Sequence, residues 1–177
     1  MFNTNDTTII CIDIQEKLVS AVKKEKTKQN AVKIMKAAEI LNVDTIITEQ
    51  YPKGLGETIK EIKSIKAFKT IEKTTFSAYQ TLEFKEHFDK LNNKNVIVFG
   101  IETHICVLQT ALDLIKKNYN VYLLSDCSAS RDDYNHFSAL NLLQDKGANI
   151  LTLEIALFEF LKSSKHPNFK EIQSLIK

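Results

Sequence analysis

The sequence predicts an α/β protein, a three-layer α/β/α sandwich around a mostly parallel central sheet of the Rossmann-like kind. Three observations carry that expectation. Short β-branched runs alternate with longer segments of helical period. The runs are apolar on both faces, as strands covered by helices on each side must be. Strand followed by helix, repeated, favours right-handed crossovers and hence a doubly wound sheet. A chain of 177 residues suits one domain with a substantial core and is short for two, so residues 1–177 are read as a single domain.

The strand candidates are TTIICID (7–13), VDTIIT (43–48), NVIVFG (95–100), VYLLSD (121–126) and NILTLE (149–154). Between them, NAVKIMKAAEILN (30–42) sets Val32, Met35, Ala38 or Glu39, and Leu41 or Asn42 around a partly apolar face, and TLEFKEHFDKLNN (81–93) repeats Leu82, Phe84, Phe88 and Leu91. HICVLQTALDLIKKN (104–118) spaces Leu108, Ala111, Leu112 and Ile115 as a helix does, and DDYNHFSALNLLQDKG (132–147) ends at Gly147, a C-terminal cap. ALFEFLKSS (156–164) follows the last strand, and NFKEIQSLIK (168–177) is a short amphipathic helix. Two stretches are less regular: EQYPKGLGETIKEIKSI (49–65), with a turn near Pro52 to Gly56, and KAFKTIEKTTFSAY (66–79).

Composition narrows the function. Hydrophobic residues at 44%, charged residues at 26% and a formal charge of +2 describe an ordinary globular protein. Arg131 is the only arginine, and the lysines are interleaved with glutamates along the helices. Proteins that clamp phosphates or read base edges gather forked guanidinium groups on one face, so no nucleic-acid partner is expected. The start of the chain has no basic segment followed by an apolar run, and no apolar run reaches the length of a membrane span. A cytoplasmic protein without a membrane partner is expected. Cys11, Cys106 and Cys127 form no CxxC pair, which fits reduced thiols.

In an open parallel sheet the ligand crevice lies beyond the carboxyl ends of the strands. Asp13, then Thr48, Glu49 and Gln50, then Glu102, Thr103 and Cys106, and finally Asp126 all fall at that edge. Asp13 interrupts an apolar run and reads equally as a helix cap or as a proton acceptor. Lys73 is a surface lysine by type, but its flank, Thr74 to Ser77, is a polar and aromatic patch. Cys106 is either a small core residue or a nucleophile held in the first helical turn, where unpaired N–H groups favour a thiolate.

These segments together resemble the isochorismatase-like cysteine hydrolases. The likeness runs from CIDIQ through TEQYPKGLGET, EKTTFSAY, GIETHICVLQTALDL and SDCSASRD to KGANILTLEIALFEFL. It implies the isochorismatase-like version of the sandwich and a triad of Asp13, Lys73 and Cys106. Within that triad the thiolate attacks the carbonyl of a small C–N, amide-type substrate and forms a covalent acyl intermediate. It also implies a non-proline cis peptide joining Ile101 to Glu102, with the N–H groups of Glu102 and Cys106 aimed at the oxyanion, and assembly as a homo-oligomer. Relatives that bind a metal carry an aspartate and two histidines after the second strand, where this chain has TEQYPKGLGET. His87, His104, His136 and His166 lie in separate segments, so no metal and no cofactor are expected.

Gln50, Tyr51, Phe76, Tyr79 and His104 are the candidates for lining a substrate pocket. Glu49 shares the strand end with Gln50 and Tyr51, where loop anchoring is the competing role. Arg131 either binds a substrate carboxylate or pairs with Asp126, Asp132 or Asp133. Cys11 is expected in the core and Cys127 partly exposed. A catalytically idle binding or scaffold protein is the alternative to a hydrolase; thiol redox chemistry at Cys106 lacks a resolving cysteine.

Overall fold

Alternation along each strand sends every second side chain to the opposite face of a sheet, so strands with no polar face need cover on both sides. The computed structural model, which describes residues 1–65 and 68–177, supplies that cover. Its strands are β1 (Thr7–Ile12), β2 (Asp44–Gln50), β3 (Lys69–Lys73), β4 (Asn95–Gly100), β5 (Asn120–Leu124) and β6 (Asn149–Leu151). They form one six-stranded sheet in the order β3-β2-β1-β4-β5-β6, and every pairing is parallel. Ile10 of β1 stands opposite Ile46 on one side and Val98 on the other.

The helices are α1 (Glu16–Val22), α2 (Glu25–Leu41), α3 (Pro52–Leu55), α4 (Lys60–Lys63), α5 (Leu82–Leu91), α6 (Leu108–Lys116), α7 (Asp133–Asp145), α8 (Leu153–Leu161) and α9 (Phe169–Ile176). Ile9, Cys11, Ile47, Ile97 and Phe99 face the layer made by α1, α2, α8 and α9. Ile10, Ile12, Ile46 and Val98 face the layer made by α5, α6 and α7. In α2 the buried Ala31, Ile34, Met35, Ala38 and Leu41 recur at helical spacing. Each large apolar side chain removed from water there contributes about 1.5–3 kcal/mol.

The strand order reverses between β1 and β4, so the crevice of this doubly wound sheet opens where those two strands end. At that point Gly100 adopts φ +151, and a Cβ on it would lie 2.0 Å from the carbonyl oxygen of Ile12. Only glycine lets the two backbones approach this closely.

Several elements differ from the sequence expectation. The stretch read as irregular from residue 66 onward contains β3; its first two residues, Lys66 and Ala67, lie outside the described residues. β3 is an edge strand paired only with β2, and Ile71 is its one buried apolar residue, so it lacks the apolar run that marks a covered strand. α1 escaped notice because it is short and buries only Val22. α2 starts at Glu25 rather than at residue 30. β6 stops at Leu151, because Thr152 caps α8 by accepting the N–H of Ile155. The turn expected near Pro52 is the one-turn helix α3, where the Tyr51 ring lies against Gly54. Among the described residues no helix is long and apolar enough to cross a membrane.

Candidate functional site

Four elements end at the crevice, and each delivers at least one polar group. Asp13 follows β1 with φ +53, a left-handed conformation that costs a non-glycine residue roughly 1–3 kcal/mol. Its carboxylate is wholly buried and paired with Lys73 at the end of β3, with Nζ to Oδ2 at 2.7 Å. The other carboxylate oxygen accepts the hydroxyl of Thr48 on β2 at 2.7 Å. Lys73 also donates to Oε1 of Gln50 at 2.7 Å, and to the carbonyls of Phe76 and Thr75 at 3.2 and 3.3 Å. Its three N–H donors are thus all occupied, which lets an ammonium reside in the interior.

Cys106 approaches the pair from the opposite side of the switch point. After β4 the chain passes through the cis peptide Ile101–Glu102 and one wide π-helical turn, Thr103–Val107, before α6 begins. Inside that turn Thr103 shares a hydrogen bond of 2.9 Å with Nδ1 of His136, tying it to α7; burial holds His136 below the usual histidine range. Backbone N–H groups of this segment have acceptors of their own: Gly100 donates to Ser128 Oγ, Ile101 to the Ile12 carbonyl and Thr103 to that of Ala129, while Ile105 and Val107 share the Glu102 carbonyl. The Cys106 thiol lies 4.0 Å from Oε1 of Gln50. Burial pushes this thiol up to about 12, the Asp13 carboxylate adds to the rise, and the Lys73 ammonium opposes it. The resting group is therefore a thiol with a carboxylate and an ammonium beside it.

A cavity of about 340 Å³ opens onto Cys106 and Gln50. Leu18, Leu55, Phe76, Ile101 and Ile105 are in its apolar wall, and Lys17, Glu102 and Arg131 are its charged lining. Most ligand sites are built this way, an apolar surface with a few fixed polar groups. The phenyl ring of Phe76 is half exposed at this wall, and the loop behind it is fastened to α6. Ser77 and Gln80 donate to Asp113 at 2.8 and 2.7 Å, and the Ala78 N–H donates to Thr110 at 2.9 Å. Among the described residues no group of three or more histidine, cysteine, aspartate or glutamate side chains is set to hold a metal ion.

The structure thus brings Asp13, Lys73, Cys106, Gln50 and Phe76 together and sends other candidates elsewhere. Tyr79 is buried away from the cavity against Phe88, with its hydroxyl on Asp89. His104 turns to Ser130 at 2.9 Å and approaches Glu102 at 3.4 Å. Tyr51 lines a neighbouring depression of about 470 Å³ that Lys73, Glu72 and Thr81 also line, and not the cavity that opens onto Cys106. Glu49 is buried and accepts the Thr58 N–H at 2.6 Å, so it anchors a loop. Arg131 pairs with Glu102, Nε to Oε1 at 2.7 Å, and not with any of the three aspartates. Cys11 lies in the core, as expected, whereas Cys127 is fully buried instead of partly exposed, because the turn after β5 folds it under α2 and α8. Thr48, Gln15 and Leu18 carry no signal in the sequence beyond lying near strand ends. Gln15 nevertheless clamps both backbone groups of Gln50, with hydrogen bonds of 2.7 and 3.0 Å.

Comparison with known proteins follows the same outline. The isochorismatase domain family matches residues 7–155. Isochorismatase domain-containing protein 2 of Rattus norvegicus is 36% identical over 179 residues, covering 100% of this chain and 83% of the relative. A solved structure named MAR1 ribonuclease, from Caenorhabditis elegans, superimposes with a TM-score of 0.93 at 34% identity, covering 99% of this chain and 91% of that one. YcaC of Escherichia coli, described as an octameric hydrolase of unknown specificity, shares the fold with a TM-score of 0.89 at 22% identity, covering 98% and 94% of the two chains. On the domain match and the full-length likeness to its relatives, the chain belongs to the isochorismatase family.

Proposed function

We propose that this chain is a cysteine hydrolase that cleaves a C–N, amide-type bond of a small molecule through a Cys106 thiolate. One observation carries the reading: the thiol, the buried Asp13–Lys73 pair and an apolar cavity meet at a single point of the sheet edge. A thiol held near 12 is a poor nucleophile until its proton has somewhere to go. Asp13 is the acceptor. As the proton moves from Sγ to the carboxylate, Lys73 stabilises the sulfur anion, and the sulfur attacks the substrate carbonyl carbon.

The carbonyl oxygen takes the electron pair, and the N–H groups of Glu102 and Cys106 receive it. Collapse of the adduct expels the amine, which takes its proton from Asp13 and leaves a thioester on Cys106. Asp13, again a carboxylate, then removes a proton from water; hydroxide attack releases the acid and restores the thiol. One amide and one water give one acid and one amine.

RNA cleavage, named for the C. elegans structure, finds no support in this site. The sole arginine is committed to Glu102 and the cavity wall is apolar. We also assign the chain to a homo-oligomer, since Tyr134, Phe137 and Leu142 leave apolar surface exposed on α7; light scattering of the purified protein tests this.

The deciding assay is ammonia release from a panel of small primary amides and ureido compounds, with an RNA oligonucleotide as a further arm. Mass spectrometry of the Cys106 peptide reads the acyl adduct. The expected result is turnover of at least one amide, an adduct confined to Cys106, and loss of both in Asp13→Asn. Cleavage of RNA alone, or amide turnover that survives Cys106→Ala, sinks the reading.

A further inference from the structure

Gln50 lines the cavity, yet both ends of its amide are already engaged. Nε2 donates to the Thr74 carbonyl at 2.9 Å, and Oε1 accepts from Lys73 at 2.7 Å while facing the Cys106 sulfur at 4.0 Å. Reversing the amide would set NH₂ against an ammonium and a carbonyl oxygen against a carbonyl oxygen, so the hydrogen-bond partners fix its direction. Its backbone is held as firmly by Gln15, whose own Nε2 reaches on to the Gly56 carbonyl at 2.6 Å. Both acceptor sites of Oε1, the end of the amide that faces the sulfur, are thus taken by Lys73 and the thiol, whereas Nε2 keeps one N–H beyond its bond to Thr74.

We infer that Gln50 is a positioning residue for the thiol, whose amide oxygen receives the S–H in the resting protein and holds the Lys73 ammonium in place. The inference rests on the hydrolase reading and deepens it. While the S–H points at Gln50, the thiol is protonated and Asp13 stays a carboxylate, paired with Lys73 and ready to accept. When a carbonyl enters, the S–H swings from Oε1 to Asp13 and the proton transfers there; Gln50 gains and loses no proton. Neutrality is the property that matters. A carboxylate in its place would set two anions against one ammonium beside the thiol, which disfavours the thiolate. An apolar side chain would remove the oxygen that opposes a sulfur anion and leave Lys73 to Asp13 and the carbonyls of Thr75 and Phe76.

The charged groups around the thiol are few. Asp13 arrives from β1 and Lys73 from β3, while Glu102, Arg131 and Lys17 stand around the cavity. Changing Gln50 alters the balance among them without deleting any one.

The test follows carbamidomethylation of Cys106 by iodoacetamide across pH in the full chain, read by peptide mass, for wild type, Gln50→Glu and Gln50→Leu. The inference expects Gln50→Glu to move the rate profile to higher pH and Gln50→Leu to move it to lower pH. Each displacement is about one unit, a rate change of about tenfold at fixed pH on the rising limb. A role in packing or access alone rescales the rate at every pH and leaves the profile in place. Profiles that stay in place, or that move the same way in both variants, overturn the inference when Asp13→Asn and Lys73→Met still shift theirs. If none of the four variants moves the profile, the hydrolase reading falls with it. Labelling of Cys11 and Cys127 marks a variant that has not folded; should Gln50→Leu be one, the near-isosteric Gln50→Glu decides alone.

Discussion

Cys106 and Cys127 follow neighbouring strands, β4 and β5, and both thiols are buried. Each has an aspartate at hand that raises it further, Asp13 for Cys106 and Asp126 for Cys127. There the likeness ends. Asp126 is occupied by structure: it accepts the Leu153 N–H at 2.7 Å and the Asn30 amide at 3.2 Å, and no cation acts on Cys127. Asp13 instead shares its charge with an ammonium that reaches the sulfur as well, and a cavity opens on that sulfur. Burial does not separate a structural thiol from a reactive one; a proton acceptor, an opposing cation and an open approach do.

The sharpest way to break this comparison is to delete each sulfur in turn. On the proposed mechanism, in which Cys106 is the nucleophile, Cys106→Ala is expected to lower amide hydrolysis by at least ~10³-fold, while Cys127→Ala leaves kcat within about twofold. Comparable losses from both would mean that the two sites do not differ in kind. Next in size is Lys73→Met, which keeps most of the apolar stem but strands a buried carboxylate. Breaking one partner of a buried pair costs about 3–5 kcal/mol, to be read from urea denaturation. A loss below about 1 kcal/mol would show that Asp13 takes up a proton at little cost and that the pair is not the anchor described above.

How far the sequence reveals this contrast depends on the kind of signal each residue leaves. Asp13 is legible because a charge interrupts an apolar strand, and the covered strands β1 and β4 are legible by their unbroken apolar runs. Lys73 is marked locally only by its polar and aromatic flank, Thr74 to Ser77, which does not by itself separate it from a surface lysine; the family resemblance singles it out. The strand carrying it, β3, is hidden because an edge strand needs only one buried side chain. Tyr79 and His104 lie in the same segments as Phe76 and Cys106, yet position in a segment does not say toward which side of a turn a side chain points. Gln50 shows the same limit: a strand end predicts that it is near the crevice, whereas its role depends on which end of the amide meets Lys73.

A third measurement sharpens the comparison by showing what the two thiols share. Cys106 is pushed from an ordinary 9.0 to about 12, and Cys127 is raised in the same direction. A raised folded-state value keeps the proton bound after the unfolded chain has lost it. The associated stability is complete below pH 9.0 and drains away as pH climbs toward about 12. Each such thiol contributes about 1.4 kcal/mol per pH unit to that decline. Cys106→Ala and Cys127→Ala are therefore both expected to flatten the alkaline limb of the stability curve, although only the first abolishes turnover. An alkaline limb unchanged by either would contradict the burial assigned to the thiols.

The smallest expected effect is the loss of stability at the second acid, Asp126. Asp126→Asn retains an oxygen for the Leu153 N–H but replaces a charge-assisted hydrogen bond with a neutral one, and it sets a second amide against Asn30. Charge-assisted bonds are worth about 1.5–3 kcal/mol and neutral ones about 1, so a loss of about 1 kcal/mol in urea denaturation is expected, with hydrolysis unchanged. Asp13→Asn makes the same chemical change one strand removed from β4 on its other side, yet it takes away the carboxylate that, alone among the described residues, faces both the Cys106 thiol and the Lys73 ammonium. Activity should then fall in Asp13→Asn and hold in Asp126→Asn, each measured on folded protein. Loss of turnover in Asp126→Asn would mean that the acid beside Cys127 participates in the chemistry, and the division between the two sites would have to be redrawn.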